Sequence, residues 1–187
     1  MILYVLYLLL IPLYGCINLF TSYDTYGDDV DRFISKEAAV VCKKYHINLC
    51  ERGRGNASGA QTARKISVGF NYFGQPVTLE QGRKLLVTIT EELLEAINGE
   101  ETIRPLLAQF PFTMDNLDTS IILYDPHGDT YQPPHLCTIF TVNDQIGYFT
   151  RDPESPLRYK TEVYRPYAEE LAIVQADPLD GFPPFVE

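Results

Sequence analysis

Several signatures of catalysis are missing from this chain. There is no GxSxG elbow, no HExxH helix, no zinc-ribbon cysteine spacing and no glycine-rich loop ending in GK[ST], so the usual routes to a serine nucleophile, a zinc centre or a phosphate cradle are closed. Ser58 and Cys137 are the nucleophilic side chains that draw notice, and neither has an identifiable partner base in the sequence. Basic residues are also scarce: 15 Lys and Arg stand against 25 Asp and Glu, for a formal net charge of -10. An acidic surface repels phosphate backbones and anionic head groups, which argues against nucleic acid as a partner and against a polybasic grip on lipid. Tryptophan is absent, but 13 Tyr and 10 Phe remain, enough for an aromatic recognition surface, although side chains at inward-facing periodic positions belong to the core by default.

No charged side chain occurs in the first eleven residues, an apolar run of Met, Ile, Leu, Tyr and Val with the length of a signal-peptide h-region. Pro12, Leu13, Tyr14, Gly15 and Cys16 follow it. Leu at minus three, Gly at minus one and then cysteine resembles the lipobox of bacterial lipoproteins. That resemblance implies that Cys16 is joined to diacylglycerol, that residues 1–15 are cut away, and that the new amino terminus is acylated; several acyl chains anchor a protein stably where one would be marginal. Ile17 rather than Asp after the cysteine implies the outer membrane in a two-membrane bacterium. An alternative is an uncut signal anchor, because residues 1–20 are mostly apolar and that number spans a bilayer as a helix; Pro12 and Gly15 are poor residues for such a helix. Residues 31–175 also resemble a type of small envelope lipoprotein of intracellular bacteria, a resemblance that implies no activity and no site.

With the leader set aside, one domain's worth of chain remains, long enough to build a core without disulfides. If Cys16 is spent on lipid, Cys42, Cys50 and Cys137 are left, an odd number that cannot all pair. In an oxidising envelope Cys42 and Cys50 are a candidate disulfide, and they serve equally well as reduced core residues.

The polar residues 16–30 suit a lipidated tether. Phe33, Ile34, Ala38, Val41 and Tyr45 share one helical stripe, which predicts an amphipathic helix over 31–44. A short strand at 47–51 and a glycine-spaced polar loop over 52–63 are expected next. Ile66, Val68, Phe70 and Tyr72 alternate with polar or small residues, the period of a half-buried strand. Thr78 with Gln81 forms a capping box for a helix whose inner face is Leu79, Leu86, Ile89, Leu93 and Ile97, whose outer face holds Lys84, Glu91 and Glu95, and which Asn98 and Gly99 stop. Runs at 120–124, 136–142, 145–150 and 157–164 are separated by turn signals at 125–128, 143–144 and 153–156 and predict an antiparallel meander. A helical turn over 167–175 precedes an extended tail, 176–187. The expected fold is α+β, with two amphipathic helices on one face of a mostly antiparallel sheet of about five strands.

Two segments invite a chemical reading. The loop at 53–59 is a glycine-spaced phosphate-cradle candidate, but a strand rather than a helix is expected after it, so a surface loop fits better; Asn56 to Ser58 is also a glycosylation sequon, relevant only in a eukaryotic secretory host. Asp125, His127 and Asp129, with His135 nearby, are the one cluster of side chains able to ligate a metal or shuttle protons. Pro126 and Gly128 explain the same residues as a turn. No cofactor is expected. These residues lead to a noncatalytic envelope lipoprotein that is anchored in lipid and binds another envelope protein; the alternative is a hydrolase or metal-dependent enzyme using the loop at 125–135.

Overall fold

In a computed structural model of the protein, residues 25–56, 62–155 and 158–179 are described. Cys16, Ser58 and the leader lie outside these residues. The described chain forms an α+β domain in the order α1 (Thr25–Tyr45), β1 (Asn48–Asn56), β2 (Ala63–Phe73), α2 (Leu79–Gly99), β3 (Leu117–Tyr124), β4 (Thr138–Val142), β5 (Gln145–Arg151), β6 (Tyr159–Pro166) and α3 (Tyr167–Ala176), with a short 3-10 turn at Arg104–Leu106. The six strands lie in the sheet in sequence order. Every neighbouring pair is antiparallel except β2 and β3, which are parallel because α2 carries the chain back across the sheet.

Three contacts show that the helices share one face. Arg52 donates to the Asp31 carbonyl of α1, Gly82 of α2 lies against Ile139, and Tyr148 donates to Glu170 of α3. Arg52, Ile139 and Tyr148 stand on the same side of the sheet, since Arg52 pairs with Val68, Val68 with Thr119, and Ile139 with both Ile121 and Tyr148. The core fills the space between. Ile66, Val68, Phe70 and Tyr72 from β2 and Leu117, Ile121 and Leu123 from β3 meet Leu85, Leu86, Ile89, Leu93 and Ile97 from α2; each such side chain contributes about 1.5–3 kcal/mol when fully buried.

Local signals account for several element ends. The Thr78 hydroxyl accepts from the Gln81 amide and the Gln81 side chain accepts from the Thr78 amide, so two of the orphan donors at the start of α2 are satisfied reciprocally. Asn143 and Asp144 have φ of 45° and 59°, the left-handed pair that a two-residue hairpin needs to match strand twist.

Elsewhere the fold departs from what the sequence predicts. Helix α1 begins at Thr25, within the stretch expected to be tether, and Val30 is already buried. The loop expected over 52–63 is β-structure as far as Asn56: β1 is an edge strand whose Arg–Gly alternation hides the usual apolar period, and backbone pairing to β2 holds it. Cys50 is the extra residue at a bulge in that pairing. The outer face of α2 is only partly left to solvent, because α3 lies beside it; Lys84 pairs with Asp177 at 2.6 Å and Tyr167 donates to Glu91, while Glu95 stays exposed. No helix among the described residues is long and apolar enough to cross a membrane.

Candidate functional site

The cluster predicted at 125–135 does not assemble. Asp125 Oδ1 accepts from the backbone amides of His127 at 2.8 Å and Asp129 at 2.9 Å, and the Asp125 amide donates to the Asp129 carbonyl. Its carboxylate therefore closes a turn, in which Gly128 takes a φ of 91° that side chains disfavour. The Asp129 amide, then that of His127, hold the Asp125 carboxyl below the ordinary aspartate range. His127 is exposed and takes no part in the hollow that Asp125 and Asp129 share with Tyr131 and Arg151. His135 lies edge-on to Tyr131 and lines a different groove. Among the described residues no three His, Cys, Asp or Glu side chains are grouped as a metal ion would require.

The three cysteines after Cys16 are free thiols. Cys42 is half-buried on α1, whereas Cys50 projects from the bulge of β1 beside Gly69. Cys137 is buried, and burial raises its thiol above the usual range, which suits a core residue and not a nucleophile.

A different site emerges from the strands. With α1, α2 and α3 all on one side, the other face of the sheet is bare of helices among the described residues. Strand alternation brings to it Phe73 and Tyr124, Phe140 and Phe149, and Tyr159 and Tyr164. Phe73 stacks on Tyr124 with ring centroids 5.1 Å apart, and Phe140 stacks on Phe149 at 4.8 Å. Phe149 also meets Tyr159 at 4.7 Å and the edge of Tyr164 at 5.6 Å. Offset and edge contacts of this kind add about 0.5–1.5 kcal/mol per pair beyond area burial.

Gly147 makes the arrangement feasible. It sits in the row that joins Phe140 to Tyr164 across β4, β5 and β6, and a Cβ at that position would overlap the Phe149 ring. The glycine lets the ring fold back over its own strand, where its neighbours bury it to 1 % exposure while Tyr159 and Tyr164 each stay 46 % exposed. The result is a packed aromatic platform with two accessible phenol rings.

Two hollows flank the platform. One, of about 280 Å³, is a trench floored by small side chains, Ser67, Gly69 and Ser120, and walled by Phe140 and Val142. Asp118 lies at its end, paired with Lys65 at 2.9 Å. The other, of about 340 Å³, lies between Tyr124, Arg151, Arg158 and Tyr159, with Arg151 donating to Thr130 Oγ1 at 2.7 Å. The face thus offers aromatic area at its centre and polar groups at its rim, the layout of a recognition surface.

Sequence alternation places these aromatics on strands but not on a face. Phe70, Tyr72 and Tyr148 are core, whereas Phe73, Tyr124 and Phe140 face away from the helices, and only the placement of the helices separates the two sets. No protein-family model, no curated protein and no solved structure matches the chain.

Proposed function

We propose that this protein is a noncatalytic envelope lipoprotein, held to a membrane through Cys16, whose bare sheet face binds another envelope protein. The observation that carries the reading is the aromatic platform. Six aromatic side chains are gathered on a face that no described helix covers, and two of them remain 46 % exposed. Tyrosine-rich, rigid surfaces make binding anchors because they bury large area with little loss of side-chain freedom. The lipobox resemblance supplies the anchor, and the acidic surface directs the choice of partner toward protein and away from nucleic acid.

The test is a paired capture from envelope extracts with the wild-type chain and with a Tyr159→Lys, Tyr164→Lys variant. Both side chains are 46 % exposed but pack on Phe149, so far-UV circular dichroism and the urea midpoint of the variant are compared with the wild type to show that the fold is kept. The reading expects a reproducible partner with the wild type that the variant loses. Equal recovery by both chains, or no reproducible partner with either, contradicts it.

A further inference from the structure

We propose that the hollow at the Tyr159 end of the aromatic platform takes a carboxylate side chain of the partner protein, held by Arg151 and Arg158. The inference rests on the reading of the bare face as a protein-binding surface, and it names the group that the partner presents there. Tyr124, Thr130, Arg151, Arg158 and Tyr159 line the hollow, whose volume is about 340 Å³. That is the small end of the range for ligand pockets, enough for a side chain and its polar head.

Local structure builds the positive lining. Arg151 ends β5 and is the cross-strand partner of Tyr159, just after a bulge in the pairing. Its guanidinium donates to Thr130 Oγ1 at 2.7 Å, which fixes one end of the fork. Arg158 immediately precedes Tyr159, the first residue of the edge strand β6, and its amide donates to the Ser155 carbonyl. The Arg158 side chain is exposed and belongs to none of the ion pairs among the described residues. Tyr159 connects the hollow to the platform, because its ring also packs on Phe149.

Charge selects the occupant. The chain has 25 acidic and 15 basic residues, yet among the described residues two arginines and no Asp or Glu line this hollow. Nearby carboxylates are engaged or stand apart. Asp152 Oδ1 accepts from the Glu154 amide, and Asp125 Oδ1 accepts from amides of its own turn. Asp129 lines the adjoining hollow, and Glu162 pairs with Phe149 farther along β6. Charges more than about 8 Å away are largely screened at physiological ionic strength, so the two guanidiniums outweigh the distant negative surface for a group inside the hollow. Guanidinium matches carboxylate through parallel N–H donors in a planar fork, and the flanking phenol rings supply apolar area for the aliphatic stem.

The experiment exposes the full-length chain to two photoreactive peptides, acetyl-Gly-Glu-Bpa-Glu-Gly-amide and its Gln counterpart, where Bpa is p-benzoylphenylalanine, and maps the adducts by mass spectrometry. The Glu peptide should label residues 122–124, 137–138, 151 or 158–159 about tenfold more than the Gln peptide, the ratio that one charge-assisted hydrogen bond supplies. Arg158→Gln should bring the two yields together, and Arg158→Lys, which keeps the charge, should retain most of the preference. Equal labelling by the two peptides, labelling elsewhere, or a preference untouched by Arg158→Gln overturns the proposal. Displacement of the Glu peptide by inorganic phosphate more readily than by glutarate would make the hollow a phosphate site and overturn it too. These readings need no partner: if they fail while the Tyr159→Lys, Tyr164→Lys variant still loses a captured protein, the carboxylate assignment falls and the binding face stands. If they hold while capture recovers nothing, the binding face falls and takes the protein source of the carboxylate with it.

Discussion

Replacing Glu170 by Ala should be among the most damaging single changes outside the apolar core. Its side chain is 2 % exposed and accepts from Arg83 Nε at 2.5 Å and from the Tyr148 hydroxyl at 2.5 Å, so one carboxylate ties α2, β5 and α3 together. Its loss leaves the Arg83 guanidinium, 13 % exposed, without a counter-charge and the Tyr148 hydroxyl without an acceptor. Breaking a buried pair by removing one member costs about 3–5 kcal/mol. The lower end is expected here, because Arg83 keeps a narrow path to water. Tyr148→Phe removes one hydrogen bond to a charged group but leaves the ion pair intact, and should cost about 1.5 kcal/mol. An Arg83→Met, Glu170→Leu double variant removes both charges and should be much less destabilised than the sum of Arg83→Met and Glu170→Leu. Urea unfolding followed by far-UV circular dichroism measures each of these variants. A loss below about 1 kcal/mol for Glu170→Ala, or a double variant as costly as the sum of its singles, would refute the idea that α3 is held by a mutually dependent buried network.

Other outcomes follow from the same structure. Burial, and then the hydrogen bond to Glu170, raise the Tyr148 phenol above its ordinary value; the folded state therefore keeps a proton that the unfolded chain releases near pH 10, and the stability this contributes is complete below that pH and lost as pH rises above it. Tyr148→Phe should reduce the alkaline slope of stability by up to about 1.4 kcal/mol per pH unit, read by urea midpoints across pH 9–11; an unchanged slope would refute it. Asp125→Ala should accelerate amide exchange at His127 and Asp129, whose donors lose their acceptor, whereas His127→Ala and His135→Ala should leave unfolding midpoints nearly unchanged because both rings are exposed. For the proposed anchor, intact mass of membrane-extracted protein should show loss of residues 1–15 and added lipid at Cys16, and Cys16→Ala should release the protein from the membrane fraction. A full-length, unmodified mass in the membrane would make residues 1–20 a signal anchor instead.

Signals that depend on near neighbours in the chain are legible in the sequence itself. The Thr78 and Gln81 capping box, the Asn143–Asp144 turn and the alternation from Ile66 to Tyr72 each specify their own geometry, and all three are realised. What escapes a sequence reading depends on partners far along the chain. Strand β1 beyond Glu51 carries arginine and glycine where apolar alternation would betray a strand, and its edge position makes no demand for burial. Lys84 and Glu91 look like a solvent face of α2 because nothing nearby announces that Asp177 and Tyr167 will cover them. Asp125 and His127 suggest chemistry by residue type, yet the carboxylate is occupied by its own turn. The aromatic face is present as composition, but whether Phe140 and Tyr164 point into the core or away from it is settled by which side the helices take.

The most direct test of the binding face is site-specific photocrosslinking in living cells, with the probe placed in turn at Tyr164 on the bare face and at Glu95 on the exposed side of α2. A discrete protein adduct from position 164, absent from position 95, is the result expected. Equal labelling at both positions, or none at 164, would contradict the proposed assignment of that face as the site of recognition.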